Sequence, residues 1–211
     1  MNNFPNDLLI GYSAFRDSSF LAEQQRYHDL AEHGQTPATL VISCCDSRVS
    51  PEVIFQSRPG EIFVIRNVAN LVPPNNPDNQ CDSTAVAVEF AISVLKIQNI
   101  VVMGHQHCGG IAATIDAQLN GTSNGPFIDP WVELLKPSVG DTLNNNDLDG
   151  AELQTCVEKN SVIRSLENLR TFPTVAAGEK AGELTLYGAW FEIAGGKLWL
   201  LDKDNGQFIE P

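Results

Sequence analysis

No stretch of this 211-residue sequence holds the roughly 20 consecutive apolar residues that a membrane-spanning helix needs. The amino terminus, Met1-Asn2-Asn3-Phe4-Pro5, lacks a basic region followed by an apolar core. Neither a membrane span nor a secretory leader is expected, which points to the cytoplasm. Basic residues are scarce: 13 Lys and Arg stand against 26 Asp and Glu, for a formal net charge of −13. That balance argues against nucleic acid or an anionic membrane surface as a partner. A small anionic substrate stays possible, because the field inside a pocket is set by local metal ions and arginines. The five cysteines are odd in number and two adjoin at 44 and 45, which suits reduced thiols or metal ligation better than a disulfide framework. Cys81 and Cys156 read as structural or incidental thiols. No internal repeat and no dividing linker is present, so one α/β domain is expected, with a helical arm over 1–34 and a core over 35–211.

What is present centres on Cys44-Cys45-Asp46-Ser47-Arg48, at the end of the apolar run Thr39-Leu40-Val41-Ile42-Ser43. The run predicts a buried strand, and ligands of an open parallel sheet bind at the carboxyl ends of its strands. A second run, Asn99 to Met103, delivers Gly104-His105-Gln106-His107-Cys108-Gly109-Gly110 in the same relation to its own strand. Between them lie a short helix from Ser50-Pro51, a strand over 62–65, a Pro- and Asn-rich loop over 73–79 and a helix over 83–96 that turns Val86, Ala87, Phe90, Ala91 and Val94 inward. This βαβ pattern predicts a central, mostly parallel sheet flanked by helices. Earlier, 7–34 is expected to be helical and to pack on a neighbouring subunit as readily as on its own sheet. Later come a helix opened by Gly109-Gly110, a helix begun by Asp129-Pro130, a polar loop over 144–147, a long helix over about 149–170 ended by Pro173, and strands over 184–193 and 197–202 joined as a hairpin.

Zinc takes Cys and His, and three protein ligands leave a fourth position for water. Cys44, His105 and Cys108 are the expected ligands, with Cys108 favoured as thiolate at a helix start. Side chains alternate along an extended segment, so Cys44 and Asp46 share a face while Cys45 points away. Asp46 then lies beside the ion and Arg48 beside Asp46, an arrangement that holds the carboxylate ionised as an acceptor for the water. Free thiols with a core histidine, or a closed structural site using His107, Cys45 or Cys81, are the bland alternatives. Cys45 and Ser47 are expected to face the supporting structure. His107 is a candidate proton shuttle, and His28 and His33 are expected at the surface.

Cys44-x-Asp46-Ser47-Arg48 together with His105-x-x-Cys108-Gly109-Gly110 resembles the β-class carbonic anhydrases, densely from Gly34 to Gly110, including Pro59-Gly60-Glu61 and Arg66-Asn67-Val68-Ala69-Asn70. The resemblance implies zinc on Cys44, His105 and Cys108, an Asp46-Arg48 dyad, an obligate homodimer often paired into tetramers, and zinc-dependent reversible hydration of carbon dioxide by attack of zinc-bound hydroxide. It further implies a substrate pocket of Gln35, Phe63, Val68, Phe90 and Gly109. Phe90 replaces a Tyr common in plant members. Val41 stands where the bicarbonate-regulated subclass usually carries Trp, so the plant-like form with an open zinc position is expected. Two other functions fit the same residues: hydrolysis of a related linear molecule such as carbon disulfide, and zinc-containing bicarbonate sensing without turnover.

Overall fold

The structure, a computed structural model, describes residues 4–79, 82–145 and 148–211. Its strands are β1 (Thr39–Cys44), β2 (Ile62–Asn67), β3 (Asn99–His105), β4 (Thr185–Glu192), β5 (Lys197–Leu201) and β6 (Phe208–Ile209). Its helices are α1 (Asn6–Asp17), α2 (Ser19–Ala22), α3 (Gln24–His33), α4 (Pro51–Ile54), α5 (Ser83–Ser93), α6 (Gly109–Asn120), α7 (Ile128–Val132), α8 (Lys136–Asn145), α9 (Gly150–Leu169) and α10 (Pro173–Ala181). The strands form one sheet in the order β2-β1-β3-β4-β5-β6. The first three pairings are parallel and the last two antiparallel, so the expected mostly parallel sheet is present. Among the described residues no helix is long and apolar enough to cross a membrane.

The central strands are apolar on both faces because both faces are covered. Leu40, Ile42, Ile100 and Val102 pack with Val88 and Ala91 of α5 and with Val162, Leu166 and Leu169 of α9. Val41, Met103 and Ala189 form a smaller cluster with half-buried Ile54, Val64 and Leu198. At the carboxyl ends of β1 and β3 a third cluster takes in Cys44, Ala69, Cys108, Ile111, Leu153 and Val157.

Several elements differ from the sequence expectation. The helical stretch over 7–34 breaks at Ser18 and Glu23 into α1, α2 and α3, none of which buries a residue. Leu8, Ile10, Tyr12 and Leu21 stand exposed. The arm is tied to the core by Arg26 donating to the Pro59 carbonyl at 2.6 Å and by the Arg58–Glu23 pair at 2.8 Å. On α5 the inward stripe is largely reversed: the buried residues are Thr84, Val88 and Ala91, while Val86, Phe90 and Val94 are 54%, 43% and 60% exposed. This helix is apolar nearly all round, so periodicity alone could not orient it.

Ser50 does not cap α4 through its side chain, which donates instead to Glu52 at 2.8 Å. Asp129 lies inside α7 rather than before it, accepting from Ser123 and the Asn124 N–H. Helix α8 extends to Asn145, where polar loop was expected; residues 146 and 147 lie outside the described residues, as does Cys81. Pro173 opens α10, where its missing N–H costs nothing, three residues after the Arg170 cap of α9.

One contact sets how closely α9 approaches the sheet. A Cβ at Gly104 would stand 2.8 Å from Val162 Cγ2 and 3.5 Å from the Glu158 carbonyl oxygen. Gly104→Ala is therefore expected to cost about 1–3 kcal/mol in urea unfolding, with Val162→Ala in the same chain recovering part of the loss. An unchanged midpoint for Gly104→Ala would contradict this packing.

Candidate metal centre

Cys44 ends β1 and His105 ends β3, on adjacent parallel strands, and Cys108 is the N-cap residue of α6. All three are buried and their ligand atoms lie within 4.8 Å of one another. The Cys44 and Cys108 sulfurs are 4.0 Å apart. A tetrahedral zinc with Zn–S bonds of about 2.3 Å would place two sulfurs roughly 3.8 Å apart, so the spacing fits. His105 Nδ1 faces the Gln106 carbonyl at 2.9 Å, which fixes that nitrogen as the donor. Its Nε2 is buried with no hydrogen-bond partner, an orphan atom turned to the ligand group. The donor set and the orphan nitrogen both fit a metal ion. Of the residues named for a closed site, His107 and Cys45 are exposed and outside the group, and Cys81 lies outside the described residues.

The thiols are unequal. The hydrogen bond between the two sulfurs lowers Cys44, against the effect of burial and with help from His105. Cys108 is pushed up by the hydrogen bond it gives the Cys44 thiolate, and by burial and like-charge repulsion. At His105 burial opposes the charged form, but the Cys44 thiolate outweighs it and the imidazole is shifted upward. The amide of Asp46 also donates to the Cys44 sulfur at 3.5 Å.

Asp46 is half-buried beside this group and held by Arg48 through both oxygens: Nε to Oδ1 at 2.9 Å and Nη2 to Oδ2 at 2.6 Å, with the Arg48 amide on Oδ1 at 3.0 Å. These hydrogen bonds hold the carboxyl well below the usual carboxylate range. Arg48 Nη2 also donates to the His107 carbonyl at 3.2 Å, and His107 adopts a left-handed φ of 56°. Its imidazole is exposed, as are those of His28 and His33.

Two supports went unread in the sequence. Arg66 donates to the carbonyls of Cys44 (2.8 Å) and Asp46 (2.6 Å), clamping the motif backbone; its signal was a lone cation in an otherwise apolar strand. Asn67 closes the turn after β2, bonding both backbone groups of Leu71 at 2.8 Å, and Trp131 donates to the Val68 carbonyl. The turn carries left-handed Ala69, and a Cβ at Gly110 would meet Ala69 and Val68 at 2.9 Å. Glycine there lets the first turn of α6 approach. Cys45 and Ser47, expected against supporting structure, are exposed. Cys156 is half-buried on α9, near Asn160.

The expected pocket residues divide into two places. Val68 and Gly109 lie beside the ligands, and a Cβ at Gly109 would touch nothing. Phe63 pairs with Leu40 near the opposite ends of β2 and β1, with the Phe90 ring 5.9 Å away. Gln35, exposed, precedes β1 altogether. At about 3.3 Å per residue, β1 sets Thr39, four residues after Gln35, roughly 17 Å from Cys44. A cavity of about 820 Å³ at the amino edge of the sheet, lined in part by Asn99, Gly182 and Thr185, contains none of the ligand residues.

A family model described as carbonic anhydrase matches residues 39–198. The chain is 35% identical over 204 residues to a carbonic anhydrase of Pseudomonas aeruginosa, covering 96% of this chain and 90% of that one. It superposes on the β-carbonic anhydrase CcaA with a TM-score of 0.91 at 31% identity, covering 98% of this chain and 91% of the other. The chain belongs to the β-carbonic anhydrase family. A structure described as one of two tetrameric β-carbonic anhydrases from Sordaria macrospora aligns with a TM-score of 0.80 at 28% identity, over 93% of this chain and 98% of that one. The reaction is the family's, reversible hydration of carbon dioxide to bicarbonate and a proton. These relatives favour neither carbon disulfide hydrolysis nor bicarbonate sensing.

The thiol–thiolate pair gives this carbonic anhydrase a proton signature. Near neutral pH the metal-free pair keeps one proton between its two sulfurs, which an incoming ion must displace. The metal-bound state holds fewer protons, so affinity rises with pH. Calorimetry in buffers of different ionisation enthalpy is expected to find about one proton or more released per ion. Uptake without proton release would contradict the pairing.

Proposed function

We propose that zinc is the cofactor, held by Cys44, His105 and Cys108, and that this chain works in the plant-like form with the ion's fourth position open. The observation that carries this reading is the Asp46–Arg48 pair, because a carboxylate held by Arg48 through both oxygens would have to release it to ligate. Val41 in place of the Trp of the bicarbonate-regulated subclass supports it too. When bound, the ion supplies Lewis acidity that makes a water at its open position a nucleophile near neutral pH. Asp46 would accept a hydrogen bond from such a water on a remaining lone pair and so orient it. Arg48 keeps the carboxylate ionised and turned away from the ion. Cys44 and Cys108 bring two negative charges to the site, which moves the rise in rate to the alkaline side of neutrality.

We also propose that two chains share the substrate pocket. Val68 and Gly109 line it from one protomer, and Gln35, Phe63 and Phe90 of the partner subunit complete it. The place of Gln35 before the amino end of β1, with Cys44 at the carboxyl end, and the exposed stripe of Val86, Phe90 and Val94 support this, as does the tetrameric description of the Sordaria relative. The apolar groups would hold carbon dioxide, and the Gln35 amide would donate to the oxygen that gains charge. The dimer is then the smallest active unit, and a tetramer a pairing of dimers. The arm over 1–34, whose α1 buries no residue in its own chain and touches it through Phe15 on Phe20 and Tyr27, would lie on the partner, outside the single core domain over 35–211. Unpaired Cys44, Cys45, Cys108 and Cys156 suit a reducing compartment such as the cytoplasm.

In stopped-flow carbon dioxide hydration, Asp46→Ala is expected to retain zinc and lose about 10²-fold or more in kcat. Full activity with zinc bound would remove Asp46 from the mechanism. Phe90→Glu is expected to lower the particle mass in light scattering and the activity together. A fully active monomer would contradict the shared pocket.

A further inference from the structure

The metal centre leaves one buried acid without a role. Glu158, on α9, is 2% exposed. Its Oε1 accepts the Cys108 N–H at 3.0 Å and the Gln154 amide at 3.0 Å, and its Oε2 accepts the Trp190 indole N–H at 3.1 Å. All three donors are neutral. Burying a carboxylate is costly, and an apolar side chain would fill the same space with no such penalty. The chemistry of the donors explains the choice. Three N–H groups converge on one side chain, and an ionised carboxylate has acceptor positions for all of them and no hydrogen of its own to clash. A glutamine of the same shape would turn an NH₂ toward one of the donors.

The network ends on a metal ligand. Gln154 also donates to the Cys108 carbonyl at 3.3 Å, so α9 side chains hold both backbone polar groups of Cys108. Cys108 is the N-cap of α6 but makes no side-chain cap bond, which leaves its sulfur to the ligand group. The same helix seats against Gly104, the residue before His105, where a Cβ would collide with Val162. Helix α9 thus fixes the backbone beside two of the three ligands.

We propose that Glu158 is a positioning residue for the metal centre: it holds the Cys108 backbone so that the Cys108 sulfur stands where it, the Cys44 sulfur and His105 Nε2 can share one ion. The proposal rests on the zinc reading above. Removing a group that orients a ligand typically weakens metal affinity by about 10–100-fold. A purely structural Glu158 would lower the unfolding temperature and leave the folded site unchanged.

The test compares the full-length parent with Glu158→Gln and Gln154→Ala. Zinc dissociation constants are measured by chelator competition, the visible absorption of the Co²⁺-substituted proteins is recorded, and thermal unfolding of each metal-free protein is followed by circular dichroism. Glu158→Gln is expected to weaken zinc binding by about 10–100-fold and to shift the Co²⁺ bands. Gln154→Ala, which keeps the carboxylate, is expected to change both in the same direction by less. If Glu158→Gln does not fold, Gln154→Ala decides the matter on the same two readouts. Parent-like zinc affinity and Co²⁺ bands in the folded variants overturn the proposal even where unfolding temperatures fall. A parent that binds no zinc overturns the metal reading itself, an outcome distinct from the other.

Discussion

The register between β1 and β3 is the constraint from which the chemistry follows. Ser43 lies opposite Met103, and beyond that pair each strand offers one candidate ligand, Cys44 at the end of β1 and His105 at the end of β3. A slip of one residue would turn every side chain of a strand to the other face and part the two ligands. The register is fixed because both faces are packed: Leu40, Ile42, Ile100 and Val102 must meet α5 and α9, while Val41 and Met103 meet the opposite cluster. Apolar packing far from the site therefore decides where the sulfur and the imidazole stand.

Charge is then distributed by hydrogen bonding. The chain carries a net charge of −13, yet it directs Arg48 and Arg66 to the few residues around Cys44. Arg48 meets the Asp46 carboxylate, while Arg66 takes the backbone carbonyls on either side of Cys45. The other carboxyl group close to the ligand group, Glu158, is pushed up by burial and meets only neutral donors, among them the Cys108 N–H. The left-handed backbone of His107 and Ala69 is a strain of order 1–3 kcal/mol each that the packing around the site offsets. At His107 it accompanies a carbonyl that accepts from Arg48.

Much of this was legible in the sequence. Uninterrupted β-branched and aliphatic runs located β1 and β3, and the reactive residues after them marked the sheet end where ligands collect. Alternation separated buried Cys44 from exposed Cys45. Other features were not legible, for separate reasons. The outward face of α5 could not be chosen because Val86, Val88, Phe90 and Val94 make it apolar on several sides. Gln35 and Phe90 were matched to a pocket by resemblance alone, and the periodicity of one chain carries no information about contacts with a second. The duties of Arg66 and Glu158 depend on hydrogen bonds to residues distant in sequence. Arg66 stands out as the lone cation of β2, within the block the resemblance covers but with no role read from it, and Glu158 as a lone acid on the buried stripe of α9.

The central claim is that Arg48 keeps Asp46 off the ion, leaving three protein ligands and an open fourth position. A crystal structure of the zinc-loaded protein grown near neutral pH tests it most directly. The expected result is zinc on Cys44, His105 and Cys108 with a water as fourth ligand, and Asp46 still bound to Arg48 through both oxygens. Zinc ligated by the Asp46 carboxylate, with Arg48 released, would contradict it.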